Sequence, residues 1–438
     1  MRVGSDRVVS SVAVREELQT IRKRDVQDVE VRCRFCGAVL AHTFVDLGLS
    51  PLCQTQIRPS DLNKMEPFYP LRVFVCDRCF LIQLDEYVAP DAIFSAEYPY
   101  FSSYSSSWVA HARHYAEHMQ ADYGIGPESF VVEIASNDGY LLQHFVQRAV
   151  RCLGVEPAVG VAEAASSKGV PTVVRFFGTE TAVELAAEHG KADLVIGNNV
   201  LAHVPRLNDF VNGLRIMLAD EGVISLEFPH LLRLMELNQF DTIYHEHFSY
   251  FSFTVVDRLL AHHELTIIDV AELPTHGGSL RIYAAHRKSR RERSQRVLDL
   301  LERERFAGVE TLAFYSGFET KVRLTKWNLL NFMIDAKRRG KSIVGYGAPG
   351  KGNTLLNYCG IRRDFLEYTV DRNPRKQGTY TPGTRIPILD PSQIDRTRPD
   401  FILILPWNLR EEIVASMAHV RQWGARFVVP IPEVEVIE

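Results

Sequence analysis

The sequence contains no hydrophobic run that approaches the length of a membrane span, and its N-terminus has no apolar core like that of a signal peptide. It also has no excess of basic residues, because 50 lysines and arginines stand against 54 aspartates and glutamates, a formal net charge of −4. A broad nucleic-acid surface would be basic, and no stripe interleaves basic and aromatic residues. We therefore expect a cytoplasmic protein with no nucleic-acid or membrane partner, and not a zinc-ribbon nucleic-acid binder or RNA methyltransferase.

Cysteine is sparse, with seven among 438 residues, and disulfides are rare in the cytoplasm. Two CxxC pairs stand out, Cys33 with Cys36 and Cys76 with Cys79. Two thiolates from each turn complete a closed tetrahedral site with no open position for water, which predicts a structural Zn²⁺ ion. The remaining cysteines are expected to be small buried residues: Cys53, Cys152 and Cys359.

A chain of 438 residues is too long for one hydrophobic core. Strand-like apolar runs alternate with helix-length segments in two separate regions, a rhythm typical of parallel doubly wound α/β sheets. An Arg-, Glu- and Leu-rich stretch between them predicts one or two helices. The predicted division is a flexible extension at 1–28, a zinc-binding module at 29–89, a cofactor-binding α/β domain at 90–287, a helical connection at 288–340 and a second Rossmann-like α/β domain at 341–438.

The first strand of the central unit ends in the loop Glu133-Ile-Ala-Ser-Asn-Asp-Gly139, at the edge where ligands bind in open α/β sheets. Small residues at Ala135 and Gly139 would let a ligand approach the backbone. The loop lacks a full GxGxxG and places Asn137 and Asp138 where a pyrophosphate would need free amides. This favours a binding loop for S-adenosylmethionine, a nucleoside cofactor without phosphate. The alternative is an ordinary strand–helix turn with no ligand. Further candidate contacts are Glu156 for the ribose, Phe176 and Phe177 for adenine unless they are core residues, and Asn198 and Asn199.

Two histidines, a carboxylate and two phenols lie within seven positions in Tyr244-His-Glu-His-Phe-Ser-Tyr250. Such a cluster supplies a base, a partner for it and phenolic donors, which suits removal of a proton from carbon. Two other interpretations remain, a catalytic metal held by His245 and His247 and a buried polar network. If the segment is a strand, the two histidines point one way while Tyr244 and Glu246 point the other.

A glycine-rich stretch, Gly345-Tyr-Gly-Ala-Pro-Gly-Lys-Gly352, follows a predicted strand and resembles a dinucleotide fingerprint. Pro349 removes an amide donor, and Lys351 adds a point charge suited to phosphate. The stretch is therefore a cradle for a substrate diphosphate or a relic of a nucleotide fold, and an NAD(P)-dependent oxidoreductase is the alternative function. The other substrate-binding candidates are His276, Arg281, which could also be a surface arginine, and Asn353.

Jointly these motifs resemble a known family, the S-adenosylmethionine-dependent C-methyltransferases of nucleotide-linked deoxysugars from antibiotic pathways. The resemblance covers nearly the whole chain after about Val31, and the family usually has glycine where this chain has Ala135. It rests on the four CxxC cysteines and on Glu97–Tyr104, Glu133–Gly139, Asn199–Val204, Tyr244–Ser252, His276–Ser279, Gly345–Lys351 and Leu405–Asn408.

The resemblance implies a zinc-binding N-terminal domain, a central class I methyltransferase domain with a Rossmann-like fold, and a C-terminal Rossmann-like domain for the sugar nucleotide. The implied substrate is a dTDP-linked 4-keto-6-deoxyhexose, methylated next to its ketone, at C3, by a monomeric enzyme. In the family pattern the base maps onto His247, with Glu246 and Tyr244 beside it and Tyr98 and His203 facing the same cleft.

Overall fold

A computed structural model of the protein describes residues 30–94 and 101–438. The predicted flexible extension at 1–28 and the predicted catalytic residue Tyr98 lie outside the described residues. The predicted domain boundaries stay predictions. Within the described ranges, no helix combines the length and the apolar character needed to cross a membrane.

The strands, in chain order, are β1 (His42–Ser50), β2 (Tyr69–Val75), β3 (Ile82–Leu84), β4 (Phe130–Ile134), β5 (Arg151–Val155), β6 (Thr172–Val173), β7 (Ala192–Asn198), β8 (Leu218–Pro229), β9 (Ser249–Tyr250), β10 (Leu265–Leu273), β11 (Ser279–His286), β12 (Ile343–Tyr346), β13 (Thr369–Val370), β14 (Ile388–Leu389), β15 (Phe401–Ile404), β16 (Arg426–Val429) and β17 (Glu435–Ile437).

The α-helices are α1 (Pro90–Ile93), α2 (Ser106–Tyr123), α3 (Leu142–Val146), α4 (Val159–Ser167), α5 (Thr179–His189), α6 (Leu207–Met217), α7 (Leu231–Glu236), α8 (Phe253–His262), α9 (Gln295–Ala307), α10 (Leu312–Tyr315), α11 (Phe318–Arg338), α12 (Gly350–Cys359), α13 (Gln393–Thr397) and α14 (Arg410–Ser416). Short 3₁₀ turns that matter for the site are Leu201–His203, Phe240–Thr242, Thr275–Gly277 and Trp407–Leu409.

The N-terminal sheet is antiparallel, in the order β1-β2-β3-β9. Its last strand comes from the polar cluster at 244–250, so that cluster is joined by backbone hydrogen bonds to the module that carries the cysteines. Phe44 of β1 stacks on Phe318 of α11 with ring centroids 4.6 Å apart. The connecting helices therefore pack on this sheet and share its core.

The central sheet has the order β10-β11-β8-β7-β4-β5-β6, with helices on both faces. Its strands from β4 to β8 pair in parallel, as predicted, because helix-length crossovers join them. The sheet also contains β11, which the sequence analysis did not predict and which runs antiparallel to β8 and β10. The tight turn between β10 and β11 is the cause, since a hairpin joins only antiparallel neighbours.

The C-terminal sheet has the order β14-β13-β12-β15-β16-β17 and is parallel except at β17. The connection before it contains three helices rather than the predicted one or two. Gly308 and Gly317, both at φ near +87°, adopt left-handed backbone and interrupt the helical stretch.

A buried carboxylate fastens this connection to the central domain. Glu304 of α9 is fully buried, and its two oxygens accept the backbone N–H groups of Phe253 and Thr254, each at 2.7 Å. Its Oε1 also lies 2.7 Å from Nε2 of buried His230. The first amides of α8 are thus capped by a negative charge from a segment fifty residues later in the chain.

Candidate active site

The four CxxC sulfurs converge as the spacing predicts. Cys33 Sγ lies 3.5 Å from Cys79 Sγ, and Cys36 Sγ lies 3.5 Å from Cys76 Sγ. All four lie within 4.8 Å of one another. Thiolates on one tetrahedral Zn²⁺, each about 2.3 Å from the ion, would be about 3.8 Å apart, so the cluster fits zinc. Cys53, Cys152 and Cys359 are buried, which confirms their prediction as small buried residues.

A cleft of about 800 Å³ opens at the carboxyl edge of the central sheet. The zinc-binding module, the central sheet and the C-terminal domain all contribute to its wall. The predicted site residues that line it are Ala135, Asn137, Glu156, Phe176, Phe177, Asn198, Asn199, His203, Tyr244, Glu246, His247, His276 and Lys351. Such a volume is typical of small-molecule sites.

Glu156 stands at the end of β5, on the side of the cleft predicted to hold the cofactor. Its carboxylate accepts the backbone N–H of Asn137 at 3.0 Å and that of Ala158 at 2.9 Å. Two bonds leave further acceptor capacity on a carboxylate, enough for ribose hydroxyls. Phe176 is nearly half exposed in this wall, whereas Phe177 packs edge-on against Phe210 at 5.6 Å. The acceptor oxygens of Glu156 and the exposed ring of Phe176 fit a nucleoside.

The loop after β4 turns sharply, with Ala135 and Asn137 at positive φ values of 54° and 49°. Asn137 lines the cleft, and its Oδ1 accepts the amide of Ser102 at 2.8 Å. The Asp138 carboxylate instead meets Lys168 Nζ at 2.9 Å and the Ser103 hydroxyl. Three predicted cofactor residues are not among those that line the cleft: Glu133, Asp138 and Gly139.

The segment around the predicted base is a turn rather than a strand, so neighbouring side chains are not forced to alternate. His245 Nε2 lies 3.1 Å from the Pro70 carbonyl, in the N-terminal sheet, whereas His247 lines the cleft. The two imidazoles therefore point into different surroundings. Among the described residues, the four cysteines form the one cluster suited to a metal, so the structure gives no support to a metal held by the two histidines.

The predicted base has a defined proton position. His247 Nδ1 lies 2.9 Å from the Thr242 carbonyl, which only accepts hydrogen bonds, so Nδ1 carries the proton and Nε2 the lone pair. Burial, and then the neighbouring His203, hold the pKa of His247 well below its usual range. The ring of His203 lies 4.7 Å away, and that of Tyr244 lies 4.0 Å away. At neutral pH the imidazole is thus uncharged and able to accept a proton.

The carboxylate of Glu246 also belongs to the cleft wall. Its Oε1 lies 3.5 Å from Cys53 Sγ, and the Cys53 carbonyl accepts Asn353 Nδ2 at 2.7 Å. Asn353 is buried and absent from the residues lining the cleft, so the structure does not bring this predicted substrate residue to it. The contact links the zinc-binding module to the polar cluster.

Two of the predicted substrate residues, His276 and Lys351, line the cleft. His276 lies in the turn before β11, edge-on to Trp108 at 5.3 Å, and burial lowers its pKa to about 4. Lys351, at the start of α12, donates to Asn408 Oδ1 at 2.9 Å and lies 4.5 Å above the Trp407 ring. Burial lowers the pKa of Lys351. An ammonium beside an amide and an indole is suited to an anionic ligand.

Arg281 is neither a cleft residue nor the surface arginine considered as its alternative. Its Nη2 donates to Glu227 Oε2 at 2.6 Å, and both side chains are buried. Burial opposes ionisation of Glu227, but His111 and Arg281 bring its pKa to about 2. Glu227 Oε1 accepts the Thr275 hydroxyl at 3.0 Å, so the pair supports the turn that carries His276.

Several residues of the site had no role in the sequence prediction. Trp108 and Phe94 line the cleft, and Thr242 orients His247. Asp241 accepts Trp407 Nε1 at 2.7 Å. The signals available in the sequence are weak: Asp241 and Thr242 lie just before the polar cluster, and Trp407 and Asn408 belong to the Leu405–Asn408 motif of the family resemblance, which indicates no role for them.

Comparison with known families finds three adjoining matches. Residues 33–94 match a zinc binding domain, residues 121–270 a methyltransferase domain and residues 274–432 a C-methyltransferase C-terminal domain. The first match contains all four clustered cysteines, and the second contains β4 to β9. The matches agree with the predicted succession of a zinc-binding, a central methyltransferase and a C-terminal part.

Over 405 residues the chain is 36% identical to C-methyltransferase NovU of Streptomyces niveus. The aligned region covers 92% of this chain and 96% of NovU. Two solved methyltransferase structures overlap it in part. Magnesium protoporphyrin IX methyltransferase from Synechocystis PCC 6803, with bound SAM, is 15% identical, covering 41% of this chain and 79% of that one, with a TM-score of 0.32. The 1,6-didemethyltoxoflavin-N1-methyltransferase of Burkholderia thailandensis is 16% identical, covering 47% and 94%, with a TM-score of 0.35. Nothing about substrate follows from overlaps of that size.

Proposed function

Since the chain belongs to the C-methyltransferase family and is an S-adenosylmethionine-dependent, zinc-containing enzyme, we propose that it methylates a dTDP-linked 4-keto-6-deoxyhexose at a carbon next to the ketone, C3. Its place would be deoxysugar biosynthesis for an antibiotic, in the cytoplasm. The observation that carries this proposal is the neutral imidazole of His247, with its lone pair on Nε2, in a cleft that also holds the Lys351 ammonium.

The chemistry requires that a carbon atom become a nucleophile. The cofactor supplies an electrophilic methyl group when bound. A carbon beside a ketone becomes nucleophilic when it loses a proton and forms an enolate, so the protein must remove that proton and stabilise the oxygen. His247 Nε2 accepts the proton, and the Thr242 carbonyl stabilises the resulting imidazolium through Nδ1–H. The phenol of Tyr244, whose ring lies 4.0 Å from that of His247 at a tilt of 33°, is our candidate donor to the enolate oxygen.

The charged end of a sugar nucleotide would lie toward the C-terminal domain. Lys351 and Lys376 both line that part of the cleft. Lys376 Nζ donates to the Ala348 carbonyl at 2.8 Å, within the glycine-rich stretch. Two ammonium groups beside this loop suit a diphosphate, which supports the cradle interpretation. The oxidoreductase alternative gains no support from the family matches, which are to methyltransferases.

The proposal is tested by mass spectrometry of dTDP-4-keto-6-deoxyhexoses incubated with the protein and S-adenosylmethionine in deuterated water. We expect the sugar to gain one methyl group. Deuterium exchange without methylation would mean that the enolate forms but that the substituents of the sugar are wrong. Neither signal across sugars that differ at C3 would overturn the proposed substrate class.

Replacing Glu156 with glutamine is expected to weaken binding of S-adenosylmethionine about 10- to 100-fold. Hydrogen bonds from ribose hydroxyls to a charged acceptor contribute roughly 1.5–3 kcal/mol, and an amide offers one oxygen instead of two. Isothermal titration calorimetry measures the change. Glu163→Gln, an exposed position on α4, is the matched control and should leave affinity unchanged. Equal affinity in the two variants would refute the ribose assignment.

A further inference from the structure

The orientation of His247 depends on one backbone carbonyl, that of Thr242, which accepts the Nδ1 proton at 2.9 Å. Thr242 closes the 3₁₀ turn Phe240–Thr242 and is followed by Ile243, in extended backbone. Rotation of either peptide plane would move this carbonyl and release the imidazole. Whatever fixes residues 241–243 therefore also fixes the proton position on His247.

Two side chains of the C-terminal domain hold these residues, one on each side of Thr242. Trp407 Nε1 donates to Asp241 Oδ2 at 2.7 Å. The Thr354 hydroxyl, on α12, donates to the Ile243 carbonyl at 3.0 Å. Asp241 is fully buried, Thr354 is 2% exposed and Trp407 is 7% exposed, so water does not compete for either bond.

The indole of Trp407 also supports the turn Thr275–Gly277. It packs on Gly277, where a Cβ atom would lie 2.5 Å from the ring, and Gly277 adopts φ +90°. Gln239 Nε2 donates to the Gly277 carbonyl at 2.7 Å. One aromatic ring thus touches both the turn that precedes His247 and the turn that carries His276.

We propose that Thr354 and Trp407 are positioning residues, through which the C-terminal domain holds the Thr242 carbonyl and so sets the Nδ1-protonated tautomer of His247. This extends the role of that domain beyond binding the sugar nucleotide. The inference rests on the proposed function only in taking His247 as the base.

The electrostatics of Asp241 agree with this role. Burial raises the pKa of its carboxyl group to about 6, while the charge of Lys351 and the indole N–H favour the ionised form. A buried carboxylate deprived of its donor is costly, so the Trp407 bond is held firmly in the folded protein.

The test compares Thr354→Val, Thr354→Ser and Thr325→Val in the full chain. Valine keeps the shape of threonine but removes the hydroxyl, and serine restores the hydroxyl. Thr325 is the matched control, since its equally buried hydroxyl lies on α11 and accepts Asn238 Nδ2 at 2.7 Å, upstream of residues 241–243. Two readouts apply: ¹⁵N chemical shifts of the histidine rings, with His247 assigned by its absence in His247→Asn, and deuterium exchange into a dTDP-4-keto-6-deoxyhexose.

We expect Thr354→Val to shift the His247 ring nitrogens toward a mixture of tautomers and to lower kcat for exchange about 10- to 100-fold, with KM within about twofold. Thr354→Ser should restore both, and Thr325→Val should change neither. An unshifted His247 spectrum in Thr354→Val, or an equal change in Thr325→Val, would overturn the positioning role. If His247→Asn itself retains full exchange, the base assignment fails instead, while the tautomer readout still tests the contact.

Discussion

Substitution of His247 by asparagine is expected to reduce methyl transfer by a factor of about 10² to 10⁴ while leaving S-adenosylmethionine affinity unchanged. A positioned general base contributes a factor of that size, and asparagine keeps a polar side chain but cannot accept the proton. The loss should fall on kcat, because the ring acts on the substrate proton rather than on binding. Steady-state kinetics with mass-spectrometric detection of methylated sugar measures it.

His245→Asn is the matched control for this substitution. It makes the same change two residues away, but its imidazole faces the Pro70 carbonyl and not the cleft. We expect its kcat to stay within a few-fold of the parent protein. Similar losses in both variants would mean that the cluster acts through the fold and would remove His247 from the mechanism.

The assignment of His247 as the base also predicts how kcat/KM falls at acid pH. A base works in its neutral form, and the folded-state pKa of His247 lies below the ordinary histidine value of 6.5 because of burial and the neighbouring His203. As pH falls through 6.5 the ring therefore stays neutral, and kcat/KM should decline only at lower pH, as the pKa of the folded protein is passed. This decline is expected to vanish in His247→Asn along with the activity.

Loss of the metal is expected to have the second large effect. Cys76→Ser should abolish stoichiometric zinc, unfold the N-terminal module and eliminate methyl transfer. Apparent binding free energies of structural zinc in small peptides are about 10–16 kcal/mol, and this energy stabilises the fold. The consequence reaches the cleft because β3 pairs with β9 and Leu84 N donates to the Phe248 carbonyl at 3.0 Å.

Elemental analysis, limited proteolysis and activity together test the metal prediction. Cys152→Ala removes a buried thiol far from the cluster and should keep one zinc per chain, protection and activity. If the Cys76→Ser variant keeps one zinc per chain and full resistance to proteolysis, then three thiolates are enough to bind the ion. The closed four-thiolate site would then not be needed for folding.

Local sequence patterns predicted the strands well where burial alone defines them. The segment at 130–134, apolar except for Glu133, is a strand with those bounds, and all five of its residues are buried. The antiparallel β11 and the division of the connection into three helices were not predicted. The direction of β11 depends on its pairing with β8, a strand distant in sequence. The division of the connection depends on two glycines that adopt left-handed backbone.

The site shows the same limit. Cysteine spacing identified the metal cluster, because the ligands of one ion come in pairs from two turns. The polar cluster at 244–250 was recognised from its density of titratable groups, yet which of its histidines faces the cleft follows from a turn that no periodicity predicts. The hydrogen bond from Trp407 to Asp241 joins residues 166 positions apart, and the local sequence around either residue does not predict it.

The carboxylate of Glu304 has a consequence for how the chain is made. Helix α8 follows the polar cluster, but its first amides receive their cap only when residue 304 has left the ribosome. Domains generally fold during synthesis as soon as their contacts exist. The strands of the central sheet are complete in sequence at His286, before α9 is synthesised, so the two amides at the start of α8 gain their charged partner only after the sheet itself has been made.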